Sequence, residues 1–548
     1  GRAMNVIPRP RKMTTREGFL PWDTLALHAR SDIPGIPDEG YRLDISERGI
    51  ALEASCAAGL FYGRQTLEKL KRLHRENVPR LRIEDAPEFP ERGYMLDISR
   101  CRVPRMDTLK RLVDLLALFK YNQLQLYMEH TFAYPDHPVV WRDSGALTAE
   151  DIRELDTYCA ERFIELVPNQ NSLGHFERWL QHPEYRLYAE CPDGFLHPIS
   201  GVRKPVGSTL TPSAASADLV EGLYANLLPN FRSRKFNIGC DEPWELGQGK
   251  NAKGRQGGQP QDQFLNWLRD RCASVTGSGR TPYFWADVAL KYPDRLEELP
   301  PGGRAVVWGY EPDHPLDTEC AKLRNAGVDF LVSPGDSSWL SFTGRLDKAL
   351  PNARNAAAAA AKWGARGILM THWGDQGHAQ PWPTMLPGVL LGAAAAWNPN
   401  NCTMDVPAGL DAFVFDGADS SLGQILYDIG FLDTRLKAAR FNRSLLYGLV
   451  RQSPFPEDTT ESAVIDSTKL EAEILRFGTE LKTVSPACSD ADWLMDEMRL
   501  MARLLRQAHR RLRSPASSTD AGLLTEAISV WKRRYRTGGL PEMLGGFR

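Results

Sequence analysis

An α/β architecture is predicted for this 548-residue chain: a (β/α)8 TIM barrel with a small N-terminal α/β domain and a C-terminal helical region. Two observations point there. From Gly93 to about residue 400, short apolar segments alternate with stretches of helical periodicity. That alternation implies parallel pairing, and eight such units in about 300 residues are the size of a closed barrel. Polar and aromatic residues also collect after the strands, at the end where such barrels carry their chemistry. A doubly wound open sheet is the structural alternative.

Residues 1–88 read as the small domain. Tyr41–Ile45 and Ile50–Ala54 flank the turn Glu47-Arg48-Gly49, a hairpin pattern, and a helix follows through Leu60, Gln65, Leu67, Leu70 and Leu73. The Pro-rich stretch Asp85–Pro90 breaks structure and marks a boundary. Over 89–400, strands are predicted at 93–98, 123–128, 163–168, 235–240, 282–286, 304–309, 328–333 and 366–371. Leu109, Leu112, Val113, Leu116 and Phe119 recur at helical spacing over 107–120, with Asp107 as N-cap. Thr148 and Asp151 form a capping box before Ile152, Leu155 and Cys159. The alanine run at 355–362 suits a helix of the outer ring. Residues 401–548 read as helices: Leu494, Met498, Met501, Leu505 and Ala508 make one apolar stripe, while 456–461 reads as a loop.

The composition is that of a soluble globular protein, 42% hydrophobic and 25% charged, with a formal charge of −2. That balance argues against a nucleic-acid or anionic-membrane partner, which leaves a basic excess. The nine cysteines are scattered without a C-x-x-C, so they read as small buried residues rather than a zinc or disulfide framework. No apolar stretch approaches the roughly 20 residues that span a bilayer. The N-terminus lacks a signal-like apolar segment, so a cytoplasmic location is expected; the residues before Met4 also fit a chain whose leader has been trimmed.

The chemistry centres on Phe236-Asn237-Ile238-Gly239-Cys240-Asp241-Glu242-Pro243-Trp244, where an apolar run delivers two adjacent carboxylates into a turn. Each raises the cost of ionising the other, so one can stay protonated near neutrality and serve as an acid. The other strand ends agree. Glu129 and His130 follow the second strand, and Asn171 and His175 the third. Trp285 and Asp287 come at the fifth, Trp308 and Tyr310 at the sixth, Asp336 and Trp339 after the seventh, and His372, Trp373 and Asp375 at the eighth. Aromatic faces with carboxylates and amides are the inventory of a sugar pocket. His372, His378 and Asp375 lack a second cluster at ligand spacing, so neither metal nor cofactor is expected.

These residues also resemble a known family, glycoside hydrolase family 20, the exo-β-N-acetylhexosaminidases, as a divergent subgroup. Arg92–Arg100 (RGYMLDISR) looks like that family's first barrel strand, and Asn171-Ser172-Leu173-Gly174-His175 follows its third-strand pattern. Gly239-Cys240-Asp241-Glu242 resembles its Gly-x-Asp-Glu signature, and Gly59–Leu67 its small preceding domain. The resemblance implies retention assisted by the substrate, whose 2-acetamido oxygen attacks the anomeric carbon to give an oxazolinium intermediate. By the same resemblance, Glu242 is the acid and then the base, and Asp241 orients the acetamido N–H and stabilises the developing positive charge. Arg92 binds outer hydroxyls, Trp285, Trp308 and Trp373 wall the acetamido pocket with Trp339 as a further wall residue, and Asp375 takes C4 or C6 hydroxyls. The implied partner is a glycan or glycoconjugate with terminal GlcNAc or GalNAc; the C-terminal helices are expected either to pack on the barrel or to form a homodimer contact.

The chain departs from the common family pattern at two places. Tyr127–Phe132 replaces an acidic second-strand motif, and Asn171 stands where an Asp four residues before the His is common, so His175 is expected to lose a charged partner. Three alternatives follow from the residues alone. Arg92 pairs with Glu91 or Asp97 on the barrel floor; Glu129 or Asp375 acts as a protein nucleophile; or the barrel binds glycans without cleaving them.

Overall fold

The computed structural model of the protein describes residues 5–252, 258–417 and 421–548. Near the N-terminus, strands Lys12–Pro21, Leu27–Arg30, Tyr41–Ser46, Gly49–Ala54 and Asn77–Asp85 form one sheet in the order first, fifth, third, fourth, second. The helix Ala57–Leu73 covers one face. Tyr41, Leu43, Ile45, Leu52, Tyr62, Leu70 and Ile83 are buried between the two layers. Gly63 permits the close approach, since a Cβ there would meet the Leu52 side chain at 2.4 Å.

Eight parallel strands make the barrel: β1 (Glu91–Asp97), β2 (Gln123–Tyr127), β3 (Glu165–Val167), β4 (Lys235–Asn237), β5 (Thr281–Trp285), β6 (Arg304–Trp308), β7 (Asp329–Ser333) and β8 (Gly367–His372). They pair in the order β4-β5-β6-β7-β8-β1-β2-β3. Just past β3 the ring closes on β4: Gln170 N–H donates to Asn237 O at 3.0 Å, and Asn237 N–H to Pro168 O at 2.9 Å. All seven residues of β1 are buried, as expected for a strand with the barrel core on one side and helices on the other. The predicted strands are all present, with two trimmed. β3 begins at Glu165 because Phe163, at φ 56°, turns the chain out of the preceding helix. β4 stops at Asn237 because Gly239, Cys240 and Glu242 adopt φ of 73°, 66° and 47°, which no strand accommodates.

The helix after β1 spans Met106–Leu118; its N-cap is Arg105, and Asp107 lies in the first turn instead. The capping box at Thr148 and Asp151 forms in both directions, at 2.9 and 3.1 Å. The alanine run lies in Leu346–Trp363, which ends at Gly364 with φ 68°.

The C-terminal helices include Ser467–Leu481, Ala491–Arg513 and Ala521–Arg534. Leu494, Met498, Met501, Leu505 and Ala508 are buried in a cluster continuous with the barrel's apolar core. Arg534 fixes this layer: it pairs with Glu497 and Asp490, its guanidinium lies 5.0 Å from the Trp382 ring, and its carbonyl accepts from Arg105 N–H at 2.8 Å. Asp458–Glu461, read as loop from its polar composition, is a short helix whose buried Asp458 accepts from Arg443. Among the described residues, no helix is long and apolar enough to cross a membrane.

Candidate active site

The turn that ends β4 is built around Asn171. Its Oδ1 accepts from Ser172 N–H at 2.9 Å and Cys240 N–H at 3.1 Å, while Asn237 Oδ1 accepts from Gly239 N–H at 3.0 Å. Glycine is required here twice over: Gly239 is left-handed, and a Cβ on it would meet Asn171 Oδ1 at 2.7 Å. Cys240 and Glu242 are left-handed without that licence, and such strain persists where surrounding contacts over-determine it. The result presents two successive carboxylates at one end of the barrel.

Both meet one imidazole. His175 Nε2 lies 3.1 Å from Asp241 Oδ2 and 3.3 Å from Glu242 Oε1. Asn171 Nδ2–H donates to Asp241 Oδ1 at 2.8 Å. Burial works against a charge on His175, but Asp241 and the hydrogen bonds to both carboxylates override it and hold the imidazolium well above its usual range. Burial likewise pushes Asp241 up, yet His175 and Asn171 outweigh it and keep the carboxyl below its ordinary range. His175 therefore does not lose a charged partner through the Asn at 171. The amide reaches Asp241 directly, and the histidine takes both carboxylates. The three residues offer ligand-type atoms within 4.8 Å of one another.

Glu242 is fixed from below by Asp287, whose Oδ2 accepts the Glu242 backbone N–H at 3.0 Å while Oδ1 accepts from Trp308 Nε1–H at 3.3 Å. Burial, then the charges of Asp241 and Glu242, push Asp287 up to about 7. Glu242 keeps a quarter of its side chain open, at 26% exposure, whereas Asp241 keeps 7%. Glu242 thus faces outward and its neighbour faces inward.

A second polar group sits at the ends of β1, β2 and β8. Arg100 reaches Asp97 Oδ2 at 2.9 Å, Glu129 Oε2 at 3.3 Å and Asp375 Oδ1 at 3.9 Å. Its guanidinium lies 5.0 Å from the Tyr127 ring and 5.2 Å from the Trp373 ring. Asp97 Oδ2 also accepts Gly374 N–H at 2.9 Å, tying β1 to the loop that carries Trp373 and Asp375. Tyr127 donates to Glu129 Oε2 at 2.7 Å, whereas Oε1 of this buried carboxyl has no partner among the described residues. Burial pushes Glu129 up to about 7 against the opposing pull of Arg100.

That shift predicts a pH-dependent stability. In the folded chain the Glu129 carboxyl takes up its proton more readily than at its ordinary value of 4.5, so folding binds a proton between there and about 7. Stability contributed by this group is therefore lost as pH rises across that window. Glu129→Gln should melt progressively higher relative to the parent as pH goes from 5 to 8, read by calorimetry; parallel profiles would contradict the account.

The aromatic residues close the remaining sides. Trp373 packs edge-on to Tyr127 at 4.7 Å and against Trp285 at 5.8 Å, and its indole N–H donates to Tyr310 Oη at 2.8 Å. Trp308 stacks on Tyr310 at 5.4 Å. Trp339 stands behind Tyr310: it meets that ring edge-on at 5.1 Å and donates to Asn442 Oδ1 at 3.0 Å, so it supports the wall instead of lining it.

Arg92 is elsewhere. It pairs bidentately with Glu39 at 3.1 Å for each bond, donates to the carbonyls of Lys120 and Phe89, and lies 5.2 and 5.0 Å from the Tyr62 and Trp397 rings. It neither binds hydroxyls nor pairs with Glu91 or Asp97. The reason is strand arithmetic: Arg92 is the second residue of β1, and five steps of about 3.3 Å each separate it from Asp97 at the other end. The arginine that does stand at the site is Arg100, three residues past the strand. Arg92→Gln should leave KM within twofold while lowering stability by about 3 kcal/mol in denaturant titration, the low end for a broken buried pair because Glu39 keeps some access to water.

Glu129, Asn171, His175, Trp285, Trp308, Trp373 and Asp375 are thus brought together around Asp241 and Glu242. Arg100, Tyr127, Asp287 and Tyr310 belong with them; Asp287 and Tyr310 stood in the strand-end inventory without a role, and Arg100 and Tyr127 only inside the quoted motifs. The usable signal was position: each lies at the last residue of a barrel strand or within three residues beyond it.

The sequence matches the glycosyl hydrolase family 20 catalytic domain over residues 89–366 and domain 2 of that family over residues 23–86. It is similar to a β-hexosaminidase of Akkermansia muciniphila, 26% identical over 376 residues that cover 62% of this chain and 71% of that protein. A β-N-acetylhexosaminidase of Cellulomonas fimi is 31% identical over 354 residues, covering 61% and 65%. The fold is similar to that of the exo-β-N-acetylglucosaminidase of Vibrio harveyi solved with N-acetylglucosamine, with TM-score 0.59, 17% identity and coverage of 72% of this chain and 74% of that one.

Proposed function

The chain belongs to glycosyl hydrolase family 20, and on that footing we propose that it removes terminal β-linked N-acetylhexosamine from glycans, with the substrate's own acetamido oxygen as nucleophile. The observation that carries this reading is the pairing of unlike neighbours on one histidine: Asp241 held ionised and inward, Glu242 partly open to solvent. Asp241 accepts the acetamido N–H, turning the amide oxygen toward the anomeric carbon. As that oxygen attacks, positive charge spreads over the forming five-membered ring, and a preorganised carboxylate with little solvent stabilises it. Glu242 gives its proton to the departing oxygen and then takes one from the water that opens the ring, returning the β configuration. Trp285, Trp308 and Trp373 exclude water from the intermediate, and Tyr310 Oη, which already accepts from Trp373, donates its own proton toward the amide oxygen.

Arg100, with Glu129 and Asp375, takes the hydroxyls at the far side of the ring. These two carboxylates are already committed to Arg100, which favours hydroxyl recognition over the alternative in which one is a protein nucleophile. The nine cysteines are unpaired thiols, which supports a cytoplasmic location. The direct test is release of nitrophenol from the β-N-acetylglucosaminide and β-N-acetylgalactosaminide. If neither is turned over, and Glu242→Gln changes nothing on any glycan, the reading fails.

A further inference from the structure

We infer that the hairpin Phe195–Lys204, together with Trp244, forms an aglycone subsite that holds a second sugar on the leaving-group side of the scissile bond. The inference rests on the function proposed above and extends the same site. Whatever leaves must pass the acid, so the surface running outward from Glu242 is where the aglycone lies. That surface is traceable. Trp244 follows Glu242 by two residues, its N–H donating to the Glu242 carbonyl at 2.8 Å. Its ring meets His175 edge-on at 5.4 Å and His197 at 4.2 Å, with Phe195 stacked at 6.5 Å. His197 belongs to the hairpin whose paired strands are Phe195–Leu196 and Arg203–Lys204.

Two features of the hairpin suit a sugar. Leu196 and Ile199 stand in water at 63% and 56% exposure, on the same hairpin whose Phe195 and His197 pack against the half-buried Trp244 indole. Aliphatic and indole faces of this kind fit the C–H face of a pyranose. Against them stands one fixed polar group. His197 Nδ1 accepts the backbone N–H of Ile199 at 3.2 Å and of Ser200 at 3.3 Å, so the neutral ring carries its proton on Nε2. That Nε2–H finds no acceptor among the described residues. The tip is held in this form by its own backbone, His197 N–H to Val202 O and Gly201 N–H to His197 O, each at 2.9 Å. A locked donor joined to the catalytic acid through Trp244, on a hairpin that also exposes Leu196 and Ile199, offers partners to a hydroxyl and to a ring face.

The test uses the full chain and two variants of the exposed tip, His197→Ala and the double change Leu196→Ser with Ile199→Ser. Two quantities are read: kcat/KM on a β-linked N-acetylhexosamine disaccharide, and the inhibition constant of a thiazoline that fills only the glycone pocket. Each variant should lose about tenfold on the disaccharide, the scale of one lost hydrogen bond or apolar contact, with thiazoline inhibition unchanged within twofold. Unchanged disaccharide turnover in both variants, with normal thiazoline inhibition, overturns the subsite and leaves the proposed function standing. Equal losses on both probes overturn it too, since the hairpin would then act on the glycone. A parent enzyme that the thiazoline does not inhibit overturns the proposed mechanism itself.

Discussion

Glu242→Gln should lower kcat/KM on glycosides with unactivated leaving groups by about 10²–10⁴-fold, the range that a positioned general acid supplies. The substitution keeps the side chain's size, leaves the backbone N–H on Asp287 at 3.0 Å, and still lets an amide oxygen accept from His175. What it removes is the proton. Leaving-group acidity then becomes the diagnostic: an aryl glycoside whose phenolate departs unaided should lose far less than an alkyl glycoside or disaccharide. Michaelis–Menten comparison of the two substrate types decides the point. Equal losses on both would mean that the variant disturbs binding and that Glu242 is not the acid.

Asp241→Asn should cost about 10²–10³-fold in kcat, the scale seen when one preorganised electrostatic group is removed. Three effects act together. The carboxylate that faces the developing oxazolinium charge disappears. The replacement amide cannot serve both neighbours, because Asn171 Nδ2–H at 2.8 Å and His175 Nε2–H at 3.1 Å are both donors and only one side of an asparagine accepts. His175 also loses the foremost influence that raises its affinity for a proton. The mutant's kcat should therefore fall further than its KM rises, and an NMR titration of His175 should move toward its ordinary range. A variant with parental kcat and an unshifted histidine would remove Asp241 from the chemistry.

Much of the architecture was legible because barrel strands and their helices differ so plainly in period. All eight strands, the capping box at Thr148 and the apolar stripe from Leu494 to Ala508 follow from spacing alone. The turn at Gly239–Glu242 was legible for a different reason: an apolar strand that ends on two acids needs an explanation. What the chain could not disclose is distance along a strand and contact across the sequence. Arg92 and Arg100 sit in one nine-residue motif, yet opposite ends of β1 separate them. The partner of Arg92, Glu39, lies 53 positions away in the N-terminal sheet region, beyond any local pattern. Trp339 looked like a wall residue because it follows β7, but Asn442, from the C-terminal helical region, draws its indole N–H back a layer. Asp287 was visible at the end of β5 without its task, since only the folded chain shows it holding the Glu242 backbone.

The central claim is that the substrate supplies the nucleophile and Asp241 steers it. It is tested most directly by kcat/KM on aryl glycosides whose N-acetyl group carries none, one, two or three fluorines. Fluorine drains electron density from the amide oxygen while leaving the glycosidic bond and the acid untouched. The account predicts a steep, monotonic fall across the series for the parent enzyme. A flat series would place the nucleophile on the protein and contradict the assignment of Asp241.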